Sequence, residues 1–426
     1  MTTAPTAQPG PHDDIPLIRL NPLGKDHHGE AAALRDAGRA TGGVVRVLLP
    51  GGLPAWALTT HELVRWLVTD APVSKNYRNW SAVREGRLAP DNPIIGMVMV
   101  DNLVTADGED HQRLRRPIAS HMTRRRTELL APRITGIATA LLDELPRHTD
   151  SRGVVDLRAH YTSQLPLRVI CELLGVPAAD RPRMRHLVDT IFRTDTTGDQ
   201  VTRAQEAIPG FLNELIELRT RDRGDDLTSA LITDREQGRT VMTDSELAGT
   251  LWVMATAGHE TTISLTTNTI RALLAHPDQL HQVQHGSLTW PTVIAEILRW
   301  DPPIGNFIGR YPSADLPIPG TNVIIGAGEA ILAPYTAVGR DPIHHGDDAH
   351  LFDPARLQQG DLAFGGGPHT CPGSALAHLE TLTAVPLLFD RHPNLRLAVP
   401  ADQLPPMASI FTNSAAVLPT HLGEPT

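Results

Sequence analysis

From Thr243 to His276, just before Pro277, the sequence predicts one uninterrupted helix of over thirty residues. At about 1.5 Å per residue it is roughly 50 Å long, enough to cross a whole domain. Thr243-Asp244-Ser245-Glu246 opens it with a capping-box pattern, in which threonine and glutamate satisfy each other's free N–H groups. Leu251, Met254, Gly258, Thr261 and Leu265 recur at three and four residues and are expected on one stripe. At mid-helix sits Ala257-Gly258-His259-Glu260-Thr261-Thr262. A glycine there costs about 1 kcal/mol relative to alanine, and a glutamate beside two threonines is poor core material. Two readings stay open: a helix–helix contact through small residues, or a groove holding a small ligand beside an acid and a hydroxyl.

The second constraint is Phe364-Gly365-Gly366-Gly367-Pro368-His369-Thr370-Cys371-Pro372-Gly373. This glycine-rich loop delivers one cysteine to the start of a helix, since Leu376, Leu379, Leu382 and Thr383 keep helical spacing. A thiol at a helix N-terminus meets free N–H groups and a positive dipole end, which favour the thiolate. Three glycines without Cβ atoms leave room for a large flat group against their backbone. The bland reading is a Gly-Pro turn with a buried cysteine; the chemical one is a haem iron held by cysteine.

Other stretches bear on the choice. A β-hairpin is expected over Val44–Leu58, a short helix over His61–Thr69, and no period from Val73 to Thr105. Asp110–Met122 reads as helical and basic, with His111 and Arg115 four apart on one face, suited to a pair of carboxylates. Arg113, Arg116, Arg124, Arg125 and Arg126 form the most positive stretch of an acidic chain and could steer an acidic partner. Helices are expected over 128–144, 161–174, 179–192, 204–221 and 291–300, with a polar connection over Arg193–Val201. In the last of these helices Glu296 and Arg299 stand three apart and can pair. Short strands are expected over Asn306–Pro334. Cys171 reads as a small buried hydrophobe. His344 and His345, being adjacent, read as solvated loop rather than chelating residues.

Composition removes several classes. A net charge of −10 argues against nucleic acid as a partner, and no run of about 18 apolar residues spans a membrane. Two cysteines are too few for a disulfide framework, so a cytoplasmic protein is expected. Residues 1–15 read as a disordered tail and 16–426 as a single domain.

From roughly Asn21 onward the chain resembles the cytochrome P-450 family, soluble actinomycete type, with its motifs in order and spacing. The resemblance implies a mainly α fold with small β-sheets and haem b between the long central helix and the cysteine-loop helix. It implies Cys371 as the axial thiolate on the metal, with Phe364, Gly373 and Gly258 near the cofactor. His369, His111, Arg115 and Arg310 would hold the propionates, and Glu260 with Thr261 would handle protons for O–O cleavage. Glu296, Arg299 and Arg356 would form a structural charge network beneath the haem. Pro372 has no N–H to give the sulfur, so Pro372→Leu is expected to raise the reduction potential.

The leading function is a monomeric monooxygenase that uses O2 and electrons from a ferredoxin and its reductase, since no Gly-x-Gly-x-x-Gly opens a helix and no cysteine cluster exists. Its substrate is expected to be a lipophilic small molecule such as a steroid, polyketide or other natural product. The alternative is oxidative C–C or C–N coupling of aromatic or cyclodipeptide substrates, and a more distant one is a haem sensor. A cysteine nucleophile with His369 as base has poor geometry at two residues' separation.

Overall fold

The computed structural model describes residues 15–357 and 360–423. Of the expected tail only Ile15 lies among them, and it is buried beneath a sheet rather than part of a free end. The architecture is mainly helical with small sheets, and no helix among the described residues is long and apolar enough to cross a membrane.

The predicted long helix spans Asp244–Ala275, with Thr243 and Glu246 forming the reciprocal capping box. It packs against Gln164–Leu174, Trp290–Trp300 and the cysteine-loop helix Ser374–Arg391, and one large apolar cluster forms around it. Cys171 is fully buried in that cluster, and burial raises its thiol to about 12, as suits a small hydrophobe. Over 250–270 the expected stripe divides. Leu251, Met254 and Leu265 are buried, whereas Val253, Ala257, Gly258 and Thr261 are not. Val253, Ala257 and Thr261 are four residues apart, so one ridge of an otherwise buried helix borders open space.

Elsewhere the helix Gly198–Arg221 begins six residues before its expected start. The Thr197–Gln200 capping box ends the polar connection early. Helices His27–Gly38, Leu227–Glu236 and Pro277–Gln284 were not anticipated. The first two show weak apolar patterning, the second because polar Thr228, Ser229 and Asp234 are buried in it beside Leu227, Leu231 and Ile232. The expected helix 161–174 is preceded by a π-turn over Arg158–Thr162.

A six-stranded sheet runs, in order, Leu17–Arg19, Val44–Leu49, Leu53–Leu58, Ile331–Pro334, Asn306–Pro312, Val73–Ser74. Alternation assigns its two faces: Val45, Val47, Ala55, Ala57 and Leu332 to one apolar cluster, Val44, Trp56, Leu58, Ile331 and Ala333 to the other. Strand Asn306–Pro312 breaks that alternation. Ile308 pairs with Leu332 and Arg310 with Ile331, so a bulge at Gly309 moves Arg310 to the face opposite Ile308. Gly309 has φ +115°, a conformation that favours glycine. Without the bulge, Arg310 would point into the apolar cluster that holds Ile308.

Candidate cofactor and active site

Cys371 stands where the loop meets its helix. Its N–H donates to the Phe364 carbonyl at 2.9 Å, which folds the loop back on itself. The Phe364 ring lies 5.2 Å from that of His378 on the cysteine-loop helix. Burial raises the Cys371 thiol, while the N–H groups of Gly373 and Ser374 and the Arg115 charge pull the other way. The helix start alone therefore does not produce the expected thiolate; a bound cation is what would deprotonate this sulfur. Pro372 contributes no N–H to it.

The glycines serve a different purpose from the expected one. A Cβ on Gly366 would lie 2.8 Å from Val68 Cγ2, and one on Gly367 would lie 2.7 Å from the Val68 carbonyl oxygen. Their lack of side chains seats the end of helix His61–Thr69 against the loop. Only at Gly365 is there free space, with nothing nearer than 3.8 Å. Gly258 behaves likewise: its Cβ would meet Ile170 Cδ1 at 2.9 Å, so its smallness serves helix packing, the blander of the two readings.

Beside the loop, cations gather without acids to match. His111 and His369 face each other with ring centroids 4.0 Å apart. Arg115 donates to the Thr370 carbonyl. Arg310, carried in by the bulge, is buried, and its Nη1 has no hydrogen-bond partner; nor has His111 Nε2. Lys75 completes the group. It is buried, with its ammonium 4.8 Å from the Phe307 ring centroid, and burial beside Arg310 pushes its pKa well down. Burial and the neighbours Lys75, His111, Arg310 and Arg115 push His369 down to about 2. Asp107 is the one acid acting on Lys75 and on His111. So many buried or half-buried donors with orphaned N–H groups call for an anionic guest. Sequence reasoning missed Lys75, yet a signal existed. It is one of only two lysines in a chain whose other cationic side chains are arginines and histidines, and an ammonium acts as a compact point charge.

On the long helix, Thr261 lies on the open ridge and its hydroxyl donates to the Ala257 carbonyl one turn back. Glu260 is buried beside it. The carboxylate accepts from Arg158 Nη2 at 2.7 Å and from Ser264 Oγ at 3.1 Å. Arg158, also missed, comes from the π-turn, a feature that sequence periodicity does not reveal. Asp189 is close by, and burial together with the Glu260 charge raises it to about 6.

Beneath the loop, Glu296 and Arg299 pair with both carboxylate oxygens engaged, at 2.8 and 2.6 Å. Arg299 also donates to the carbonyls of Gly339, Ala349 and Leu351, tying three chain segments together. Arg356 lies 3.9 Å from Glu296 and bonds chiefly to Asp348 and the His345 carbonyl. Near the start of the long helix, a groove of about 560 Å³ touches Asp244, Ala248, Gly249 and Trp252 and is lined also by Met99, Ile191, Leu212, Asn102 and Asn213.

Comparison with known proteins agrees with this geometry. A family model described as Cytochrome P450 matches residues 179–289 and 290–414. The 2-hydroxy-5-methyl-1-naphthoate 7-hydroxylase of Streptomyces carzinostaticus is 36% identical over 95% of this chain and 97% of its own. The vitamin D(3) 25-hydroxylase of Pseudonocardia autotrophica is 34% identical over 93% and 94%. Among solved structures, CYP154C4 from Streptomyces sp. W2061 is 39% identical, with a TM-score of 0.91 over 96% of this chain and 98% of that one.

Proposed function

The chain belongs to the cytochrome P450 family as a monooxygenase, and on that premise we propose that it hydroxylates a sizeable lipophilic natural product with electrons from a ferredoxin. The observation that carries the cofactor assignment is the unpaired cation group beside Cys371. Its orphaned donors suit the two propionates of haem b, and the sulfur of Cys371 suits the iron. Bound haem supplies the activation of dioxygen.

The chain's own residues divide the remaining work. Lys75, His111, Arg115, Arg310 and His369 hold the cofactor's carboxylates, and Phe364 and Gly373 support the sulfur. Thr261, on the open ridge, is placed to pass a proton toward the reacting oxygen. Asp189, its carboxyl raised to about 6, supplies that proton, and Glu260, held by Arg158, relays it. Met99, Ile191, Leu212 and Trp252 give the groove beside the long helix an apolar stretch that suits a lipophilic guest, with Asn102, Gln205 and Asn213 as polar contacts. Trp80, Ile94, Ile308 and Phe411 are packed in the sheet's core and leave specificity to other residues. Hydroxylases of a naphthoate and of vitamin D(3) among the relatives support a polycyclic or similarly bulky substrate.

Electron delivery is assigned to the face of Arg116, Arg125 and Arg126. All three are exposed, and the short helix Arg124–Glu128 packs on the cysteine-loop helix, with Arg124 itself paired with Glu128. Arg113 is excluded, because Glu246 and Asp110 already neutralise it. Residues 16 onward act as one catalytic domain. Incubation with polycyclic candidate substrates under 18O2 tests the reaction: label in the product supports hydroxylation, and unlabelled coupled product contradicts it.

A further inference from the structure

Apart from the cofactor group, three histidines meet that the P450 reaction does not use. His61 opens the helix His61–Thr69, and His344 and His345 lie on the single turn Pro342–His345. The expectation of a solvated loop fails here, since His345 is buried and His344 half-buried. Asp341 brings the two segments together: one carboxylate oxygen accepts from the His61 N–H at 2.8 Å, the other from the Ile343 N–H at 3.0 Å. The His61 and His344 rings stack with centroids 3.5 Å apart and planes 4° from parallel. His345 stands edge-on to both, at 85° and 87°.

One ring nitrogen from each histidine lies within 4.8 Å of the other two. Nε2 of His344 and Nε2 of His345 are both buried with no hydrogen-bond partner. An unpaired buried polar atom costs about 1–3 kcal/mol, so two at one spot point to a missing guest. Four ligands on a tetrahedral ion at about 2.0–2.1 Å place neighbouring nitrogens roughly 3.3 Å apart, close to the ring stacking distance. The lone pairs of His61 and His344 lie in near-parallel ring planes, so loading the ion requires these two rings to turn out of their stack until both face it. Three imidazoles suit late first-row divalent ions rather than Mg2+ or Ca2+. Arg65 acts on His61 and Arg299 and Arg356 on His345, while the Asp341 carboxylate offsets the charge at His61.

We propose that His61, His344 and His345 form a structural site for a borderline divalent cation such as Zn2+, its fourth position open to the groove that His344 lines. The site joins two segments that support the cysteine loop. The helix begun by His61 ends at Val68 and Thr69 against Gly366 and Gly367, and the His345 carbonyl accepts from Arg356 at 2.9 Å. A metal here therefore fastens the sheet side of the molecule to the segment beneath the cysteine loop, and it stabilises the fold by mass action.

The test dialyses haem-loaded protein to equilibrium against Zn2+ alone, counts bound metal by mass spectrometry, and reads the ligands by X-ray absorption. A competing pair must be controlled, because His281 and His285 stack one turn apart on an exposed helix face. The expected result is one Zn2+ weakened at least about tenfold by His344→Ala and unaffected by His285→Ala, with three imidazole nitrogens at about 2.0–2.1 Å. Zn2+ should also raise the thermal midpoint of the wild type but not of His344→Ala. His344→Gln, which keeps polar bulk, repeats the test should the alanine variant lose its native circular dichroism. No bound zinc, zinc bound equally by the His344 variants, or zinc lost only with His285→Ala overturns the proposal.

Discussion

His111 and His369 face each other across 4.0 Å, from two elements more than 250 residues apart, with Lys75, Arg115 and Arg310 acting on His369. Cations do not gather in a buried space without an anion to hold. Each charge-assisted bond to such an anion contributes about 1.5–3 kcal/mol, so Lys75→Met should speed haem loss to a scavenging globin about 10- to 100-fold. An unchanged rate would remove Lys75 from the cofactor group.

Arg310 owes its position to a single glycine. Alanine at 309 meets nothing closer than Lys75 Nζ at 3.7 Å, so Gly309→Ala tests backbone strain rather than crowding. At φ +115° that strain costs about 1–3 kcal/mol. The chain should relieve it by losing the bulge, which turns Arg310 away. The expected outcome is a lower melting point together with faster haem loss, approaching that of Arg310→Leu. A variant with wild-type haem retention would show that Arg310 is held by something other than the bulge.

The Arg158–Glu260 pair can be separated from its chemistry by a double-mutant cycle. Arg158→Leu leaves a buried carboxylate unpaired and should cost about 3–5 kcal/mol, whereas Arg158→Leu with Glu260→Leu should recover much of it. Glu260→Gln keeps the shape and should lower turnover by about 10²- to 10⁴-fold while leaving substrate-induced spectral shifts intact. Wild-type turnover would take Glu260 out of proton delivery.

These residues show what was legible in the sequence and what was not. The long helix and its capping box depend on contacts within four residues, and Thr243 and Glu246 could be paired by eye. The Glu296–Arg299 pair is also local, and it forms as expected. Lys75, Arg158 and His61 were missed because each gains its meaning from a residue at least a hundred positions away. Gly366 and Gly367 were misread for the same reason: a missing Cβ shows that something approaches closely, but not whether it is a cofactor or Val68. Gly309 gave no alternation signal because a bulge cancels one.

Glu380, buried in the cysteine-loop helix with one carboxylate oxygen unpartnered, sets a pH dependence. Burial raises its pKa well above the ordinary value, so the folded protein holds it protonated. Below the unfolded-state pKa of about 4.3 both states are neutral and the residue costs nothing by ionisation. As pH rises above that value the unfolded chain ionises first, and stability falls by up to about 1.4 kcal/mol per pH unit until the folded-state pKa is reached. Glu380→Gln should therefore match the wild type in thermal midpoint near pH 4.5 and exceed it near pH 7.5. A gap that does not widen with pH would mean that Glu380 is paired and charged.

The account rests on Cys371 holding the iron, and the spectrum of the reduced, CO-treated protein tests that most directly. The wild type should show the strongly red-shifted Soret band of thiolate ligation, and Cys371→Ser should lose that band while retaining the helical fold by circular dichroism. A colourless wild type, or a band at the position of histidine-ligated haem that Cys371→Ser leaves in place, would contradict it.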